Sequence, residues 1–288
     1  MNSKEYAYGL CKITKTVKRE KDSHKGTFGT VLSICGSYGF CGASVLSAKA
    51  ALRSGAGLIK AFICDKNYTA FCSVLSEAVV IPCKTGESGE PVIEENLLIR
   101  ELGNCSSVVF GCGTGKSDNI KNSLKTVLEN SSSPIILDAD GINLLSMDIN
   151  IIREIKAPLI ITPHPKEMSR LTNLSVEEIQ NDRIGTARRF AEDYNCTVVL
   201  KGCNTVVALP GGEVFLNKTG NPGMATGGSG DVLAGIIASL SAQGYSEKDA
   251  AVTGVYVHSF AADIAAEKYT ERSLLPSDII EELKNISY

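Results

Sequence analysis

The groups most able to do chemistry are concentrated in one stretch. From Asn217 to Asp231 the chain carries five glycines and a proline, and it passes without a break into the apolar segment Val232 to Leu240. Such a pattern predicts a tight turn that enters a helix at about Ser229. Backbone N–H groups around Gly227, Gly228 and Gly230 can then converge on one spot, and the positive end of the helix dipole reinforces them, so an anion is the natural occupant. Asp231 plants a carboxylate in the same first turn. A glycine-rich turn with an acidic residue at a helix start is also a common stabilising arrangement, but ordinary turns rarely need so many glycines together.

Two further residues sit where strands end. Lys201 follows Val198-Val199-Leu200 and precedes Gly202, which would project a cation towards a bound phosphate; a solvated lysine at a turn is the alternative. His164 lies between Pro163 and Pro165, where its backbone is restricted, and is a candidate for ligand contact. The three histidines, His24, His164 and His258, share no metal-ligand spacing. His258 falls in an apolar helical segment and reads as structural.

Two motifs fail on spacing. In Gly111-Cys112-Gly113-Thr114-Gly115-Lys116-Ser117 a P-loop would need glycine at position 110, where Phe110 stands. Gly36, Gly39 and Gly42 are spaced G-x-x-G-x-x-G, which is not the dinucleotide fingerprint. Both read as turns that let a ligand approach the backbone.

The elements that must hold these turns alternate. Strands are expected over 27–34, 58–64, 78–82, 107–110, 134–137, 159–161 and 197–200, with a hairpin from 205–209 and 214–216. Helices are expected over 43–54, 118–129 and 176–194, with two or three more after Asp231. Apolar strands alternating with helices indicate an α/β three-layer αβα sandwich around a mostly parallel sheet. In such sheets ligands bind beyond the carboxyl ends of the strands, where each of these turns falls. No linker or repeat interrupts residues 1–288, read as one domain.

Composition narrows the function. The 288 residues are 43% hydrophobic and 21% charged with net charge -3, which offers no global field for nucleic acid. The ten cysteines form no C-x-x-C pair and read as small buried residues of a reducing cytoplasm. Residues 1–25 lack the apolar core of a signal peptide, and no apolar run reaches the ~18 residues that span a bilayer. A cytoplasmic protein with no membrane partner is expected.

Taken together, Lys25-Gly26-Thr27-Phe28-Gly29, Gly36-Ser37 with Gly42-Ala43, Leu137-Asp138-Ala139-Asp140-Gly141-Ile142-Asn143, Thr162-Pro163-His164-Pro165-Lys166-Glu167-Met168, Leu200-Lys201-Gly202 with Thr205, and Thr219 to Asp231 resemble the ADP- or ATP-dependent NAD(P)H-hydrate dehydratases. The ordered match runs from about Lys25 to Leu240. It implies a ribokinase-like fold and a metabolite-repair reaction, in which the hydrated dihydronicotinamide of NADHX or NADPHX (the S epimer) loses water at the expense of a nucleotide. On this resemblance Ala43, Gly113, His164 and Asp231 contact the hydrate, and Asp231 is the catalytic base. Lys201, Gly202, Cys203, Asn204 and Thr205 with Gly227, Gly228 and Gly230 hold the adenosine nucleotide, ADP being the expected co-substrate and ATP the alternative. Mg2+ is expected through phosphate oxygens and water, with Glu167 as its protein contributor. A homo-oligomer, with a tetramer as the model, and a separate epimerase are implied as well. The loop usually reads Gly-Pro-Gly-Leu-Gly where this chain has Gly111 to Gly115, and Phe40-Cys41 replaces a methionine-containing pair. A ribokinase-like small-alcohol kinase of the thiazole or hydroxymethylpyrimidine type would use the same anion site and aspartate, and a non-enzymatic nucleotide sensor would use the anion site alone.

Overall fold

A computed structural model describes residues 8–288 apart from 154; the first seven residues of the 1–25 segment lie outside it. Its strands, in chain order, are β1 (Gly9–Leu10), β2 (Thr30–Ile34), β3 (Leu58–Cys64), β4 (Val79–Thr85), β5 (Pro91–Val92), β6 (Ser107–Phe110), β7 (Ile135–Leu137), β8 (Leu159–Ile161), β9 (Thr197–Leu200), β10 (Val206–Ala208) and β11 (Val214–Leu216). The helices are α1 (Cys41–Arg53), α2 (Tyr68–Val74), α3 (Glu95–Leu102), α4 (Asp118–Asn130), α5 (Asp140–Leu145), α6 (Pro165–Thr172), α7 (Val176–Asn181), α8 (Arg183–Tyr194), α9 (Ser229–Ala242), α10 (Glu247–Tyr269) and α11 (Pro276–Glu282).

The strands make one sheet in the order β1-β11-β10-β9-β8-β7-β6-β2-β3-β4-β5. From β9 across to β4 all neighbours are parallel, while β10 and β5 run against their partners. Buried on both faces, the central strands send alternate residues to two apolar layers. Val109, Ile136, Ile160 and Val199 meet the layer of α1, α2, α9, α10 and α11. Val108, Ile135, Ile161 and Val198 meet the layer of α3 to α8. This is the three-layer αβα arrangement expected from the alternation.

Chain direction reverses across the sheet at β2, which has β3 on one side and β6 on the other. Crevices that take ligands form at such switch points, beyond the carboxyl ends of the strands. The loops leaving β2 and β6, Cys35 to Phe40 and Gly111 to Gly115, therefore flank the natural site.

Helix α9 is apolar on nearly every face because it lies between α1, α10 and the sheet. Its fit against α1 is tight: a Cβ at Gly235 would stand 2.1 Å from the Ser47 carbonyl oxygen. That contact fixes where the first turn of α9 meets the crevice.

Two expectations are corrected. The helix expected over 176–194 is two helices, because Asp182 leaves helical geometry (φ -141, ψ 62) and its carboxylate caps the second by accepting from the Gly185 amide at 2.9 Å. The strand expected from 27 begins at Thr30; residues Lys25–Phe28 form a 3-10 turn capped by His24.

Candidate active site

The first turn of α9 is open to a ligand. Gly228 precedes it with φ +100, a backbone that favours glycine, and no side chain caps the helix. Among the described residues, the amides of Gly227, Gly228, Gly230 and Asp231 donate no hydrogen bond to the protein. Four donors at a helix start without a partner in the protein need an acceptor from outside. The approach to this turn is anchored on α10, where the Asp263 carboxylate accepts from the Gly220 amide at 2.8 Å and from Asn221 Nδ2 at 2.9 Å. His258 Nε2 lies 3.3 Å from Ser229 Oγ, and burial lowers its pKa to about 4, so it stays neutral and structural.

Asp231 projects from this turn towards the ends of β6 and β7. Its carboxylate, Asp138 and the Cys112 thiol place ligand atoms within 4.8 Å of one another. Burial, then the neighbouring Asp138, raise the pKa of Asp231 to about 7, against the opposing influence of Cys112 and Lys201. The desolvation of the carboxylate thus outweighs the helix dipole, which alone would favour ionisation. A carboxylate poised there can accept a proton near neutral pH.

Asp138, immediately after β7, is 1% exposed. Its Oδ1 accepts from Thr162 Oγ1 at 2.7 Å and from Lys201 Nζ at 2.5 Å, and its Oδ2 accepts a weak bond from Cys112 Sγ at 3.8 Å. The next residue, Ala139, has φ +48 and ψ -113, a strained backbone that the packed turn enforces. Asp138 was not among the expected site residues. Its signal was the same as that of Lys201, a charged residue directly after a buried strand, but their pairing spans 63 positions and leaves no trace in local spacing.

Lys201 thus turns inward. Its ammonium rests on Asp138 and stands 4.0 Å from Glu167 Oε2, while a Cβ at Gly230 would be 3.3 Å from it. Burial acts to lower its pKa, yet the charges of Asp138 and Glu167 outweigh that and hold it above its ordinary value. Residues Gly202 to Thr205 turn outward over Arg183, whose Nη2 donates to the Leu200 carbonyl at 2.9 Å. Cys203 is exposed, Asn204 has φ +53, and the Thr205 carbonyl accepts from the Asn217 amide at 2.9 Å, joining this loop to the glycine stretch.

His164 and Glu167 cap α6 reciprocally. The Glu167 amide donates to His164 Nδ1 at 3.1 Å, and the His164 amide donates to Glu167 Oε2 at 2.8 Å. Burial, and then Lys201, lower the pKa of His164. Burial, together with Asp138, raises that of Glu167 to about 7.

On the other side of Asp231, Ala43 and Gly113 meet across the crevice: a Cβ on Gly113 would lie 3.1 Å from Ala43 Cβ and 3.2 Å from Phe40 Cβ. Cβ atoms added at Gly42 or Gly227 would point into open space, so packing within the chain is not what keeps them bare. All the expected site residues therefore lie on one rim, with Asp231 and Lys201 at its centre. A separate cavity of about 460 Å³ opens at the amino ends of β8 and β9, beside Arg153 and Tyr194, and contains none of them.

A magnesium ion built wholly from protein ligands fits poorly here. The thiol of Cys112 is a soft donor, and Asp138 Oδ1 is already taken by Thr162 and Lys201. An ion carried on phosphate oxygens, with a carboxylate reaching it through water, fits this donor set.

The family model described as NAD(P)H-hydrate dehydratase matches residues 31–285. An ADP-dependent (S)-NAD(P)H-hydrate dehydratase of Neisseria meningitidis is 40% identical over 253 residues, covering 86% of this chain and 81% of that protein. A bifunctional NAD(P)H-hydrate repair enzyme of Moorella thermoacetica is 36% identical over 265 residues, covering 92% of this chain and 50% of its own. The chain thus spans about half the length of the bifunctional relatives it matches. Among solved structures, the ADP/ATP-dependent NAD(P)H-hydrate dehydratase of Bacillus subtilis co-crystallised with ATP/Mg2+ superposes with TM-score 0.80 at 28% identity, covering 94% of this chain and 93% of that one. A ribokinase-like superfamily protein of Enterococcus faecalis does so with TM-score 0.82 at 32% identity, covering 94% and 90%.

Proposed function

The chain belongs to the NAD(P)H-hydrate dehydratase family, with a ribokinase-like fold, and we propose that it returns the S epimer of hydrated NADH or NADPH to the dihydronicotinamide cofactor at the expense of ADP, or of ATP in its place. The observation that carries this reading is the first turn of α9, where partnerless amides and a carboxylate with a pKa of about 7 stand side by side.

Hydroxide is a poor leaving group, so the hydroxyl is phosphorylated first. Asp231 takes the hydroxyl proton as the oxygen attacks the terminal phosphorus of the nucleotide, and the bond to the bridging oxygen breaks to release AMP from ADP. The amides of Gly227, Gly228 and Gly230 hold the charge on the transferring group. The ring nitrogen lone pair then expels phosphate, and loss of a proton from the neighbouring carbon restores the double bond. The loop Lys201-Gly202-Cys203-Asn204-Thr205 seats the adenosine nucleotide. Ala43, Gly113 and His164 line the hydrate. When bound, Mg2+ neutralises phosphate charge, and Glu167 would reach it through water. We read the protein as a cytoplasmic homotetramer that works beside a separate epimerase, as its resemblance to the family implies.

Purified protein given hydrated NADH, Mg2+ and ADP is expected to restore the near-ultraviolet absorbance of NADH. Asp231→Asn is expected to lose about 10²- to 10⁴-fold in kcat, the usual worth of a general base, while still binding nucleotide. No recovery with either nucleotide sinks the reading, and accumulation of a stable phosphorylated product would make the protein a kinase instead.

A further inference from the structure

Phe40 stands at the mouth of the crevice with its side chain in water. It is the residue before α1, in the loop after β2, and it is 63% exposed. Lone exposed apolar residues are ordinary, so exposure alone decides nothing. Its surroundings are less ordinary. Gly39 before it has φ +91, a backbone that favours glycine, whereas Gly42, two residues on, has no such need and a Cβ there would meet nothing within 4 Å. Its own Cβ closes over Gly113, which has φ +64, and its carbonyl accepts from the Ala43 amide at 3.1 Å. Nearby Tyr38 already has the Lys66 ammonium 5.3 Å from its ring centre. Among the described residues, no ring stacks on Phe40 and no cation lies over it. An unused aromatic face therefore stands beside the open space at Gly42 and over Gly113, one residue beyond the Cys112 that touches the Asp231 cluster.

We propose that Phe40 is the platform for the hydrated nicotinamide ring: the planar, conjugated part of that ring lies on the phenyl face, which turns the hydroxyl towards Asp231. This inference rests on the dehydratase reading. The hydrate keeps a flat segment running from ring nitrogen through the carbon–carbon double bond to the carboxamide, and an aromatic face matches such a surface in shape and apolarity. Phe40 takes no part in bond making. It is a positioning residue, felt in substrate affinity more than in turnover.

Kinetics of Phe40→Ala are expected to show KM for hydrated NADH raised about 10-fold, the effect of ~1.4 kcal/mol, with KM for ADP unchanged and kcat reduced less than about 3-fold. Phe40→Tyr, which keeps the face, is expected to restore KM. A second readout needs no turnover. The chain has no tryptophan, so Phe40→Trp introduces a single indole, whose emission NADH, added as product, is expected to quench while ADP alone does not. Unchanged KM in an active Phe40→Ala enzyme, or quenching by ADP equal to that by NADH, overturns the proposal. So does a change in oligomeric mass with unaltered kinetics, which would make the ring a subunit contact. If the parent protein restores no NADH at all, the functional reading has failed, and the quenching titration still judges the platform by itself.

Discussion

A carboxylate that must accept a proton near neutrality has to be kept from ionising too readily, and Asp231 is kept so by burial and by the charge of Asp138. Asp138 is in turn hydrogen-bonded by Lys201 and Thr162, which fixes its position. The acid limb of kcat/KM is therefore expected near pH 7. In Asp138→Asn one cause of the raised pKa disappears while Lys201 remains, so Asp231 ionises more easily and the limb moves to lower pH. A pH–rate profile of the two proteins checks both the position and the sign; a limb that stays put or moves up removes Asp138 from this role. At this scale the sequence was half legible. Asp231 stood out because five glycines surround it, and Lys201 because it ends an apolar strand. What spacing could not show was that the lysine faces inward, onto a carboxylate 63 positions earlier, rather than outward alone.

At the scale of elements, the site depends on how closely α9 lies against α1. Gly235→Ala would drive a methyl group into the Ser47 carbonyl. Overpacking of this kind costs about 1–3 kcal/mol, and a fall in Tm of roughly 2–5 °C is expected for a chain of this length. Gly42→Ala and Gly227→Ala have open space for the new methyl, so their Tm is expected to stay within about 2 °C of the parent. They should instead raise KM, for the hydrate and for the nucleotide respectively. Thermal melts beside steady-state kinetics test the contrast, and a destabilised Gly42→Ala would mean that this space is filled by the chain itself. The strands β3, β6, β8, β9 and β11 were legible to the residue because their apolar runs are short and each is followed by a glycine, a charge or a polar residue. The break at Asp182 was not, since the apolar positions of α7 and α8 continue one periodicity across it, and only the cap on Gly185 interrupts the backbone.

At the scale of the whole molecule, alternation of strands and helices was enough to predict the layered α/β architecture, and the glycine turns after β2 and β6 and before α9 fell on the rim that this architecture assigns to ligands, whereas Gly211-Gly212 turns the hairpin at the opposite end of the sheet. The strand order was not readable. Nothing in the sequence says that β2 has β3 and β6 on opposite sides, or that Gly9–Leu10 adds a parallel strand beside β11, because pairing partners far apart in the chain share no local signal. The curated bifunctional relatives are about twice as long as the stretch this chain matches. The proposal of a separate epimerase is tested on a mixture of the two hydrate epimers: conversion that stops when the S form is consumed and resumes when an epimerase is added supports it, and complete conversion without one contradicts it.

The crevice gathers three carboxyl groups, Asp138, Glu167 and Asp231, around the single ammonium of Lys201, and two of the three have pKa values of about 7. Near neutrality the empty protein is therefore a proton reservoir. A divalent cation arriving with its nucleotide favours the ionised carboxylates and discharges that reservoir, whereas a bare polyphosphate charges it further. On the proposed reading, occupancy of the site and the acidity of its surroundings are linked variables, and the hold on a metal–nucleotide complex is expected to tighten as the pH rises through neutrality, which nucleotide-binding titrations across that range check.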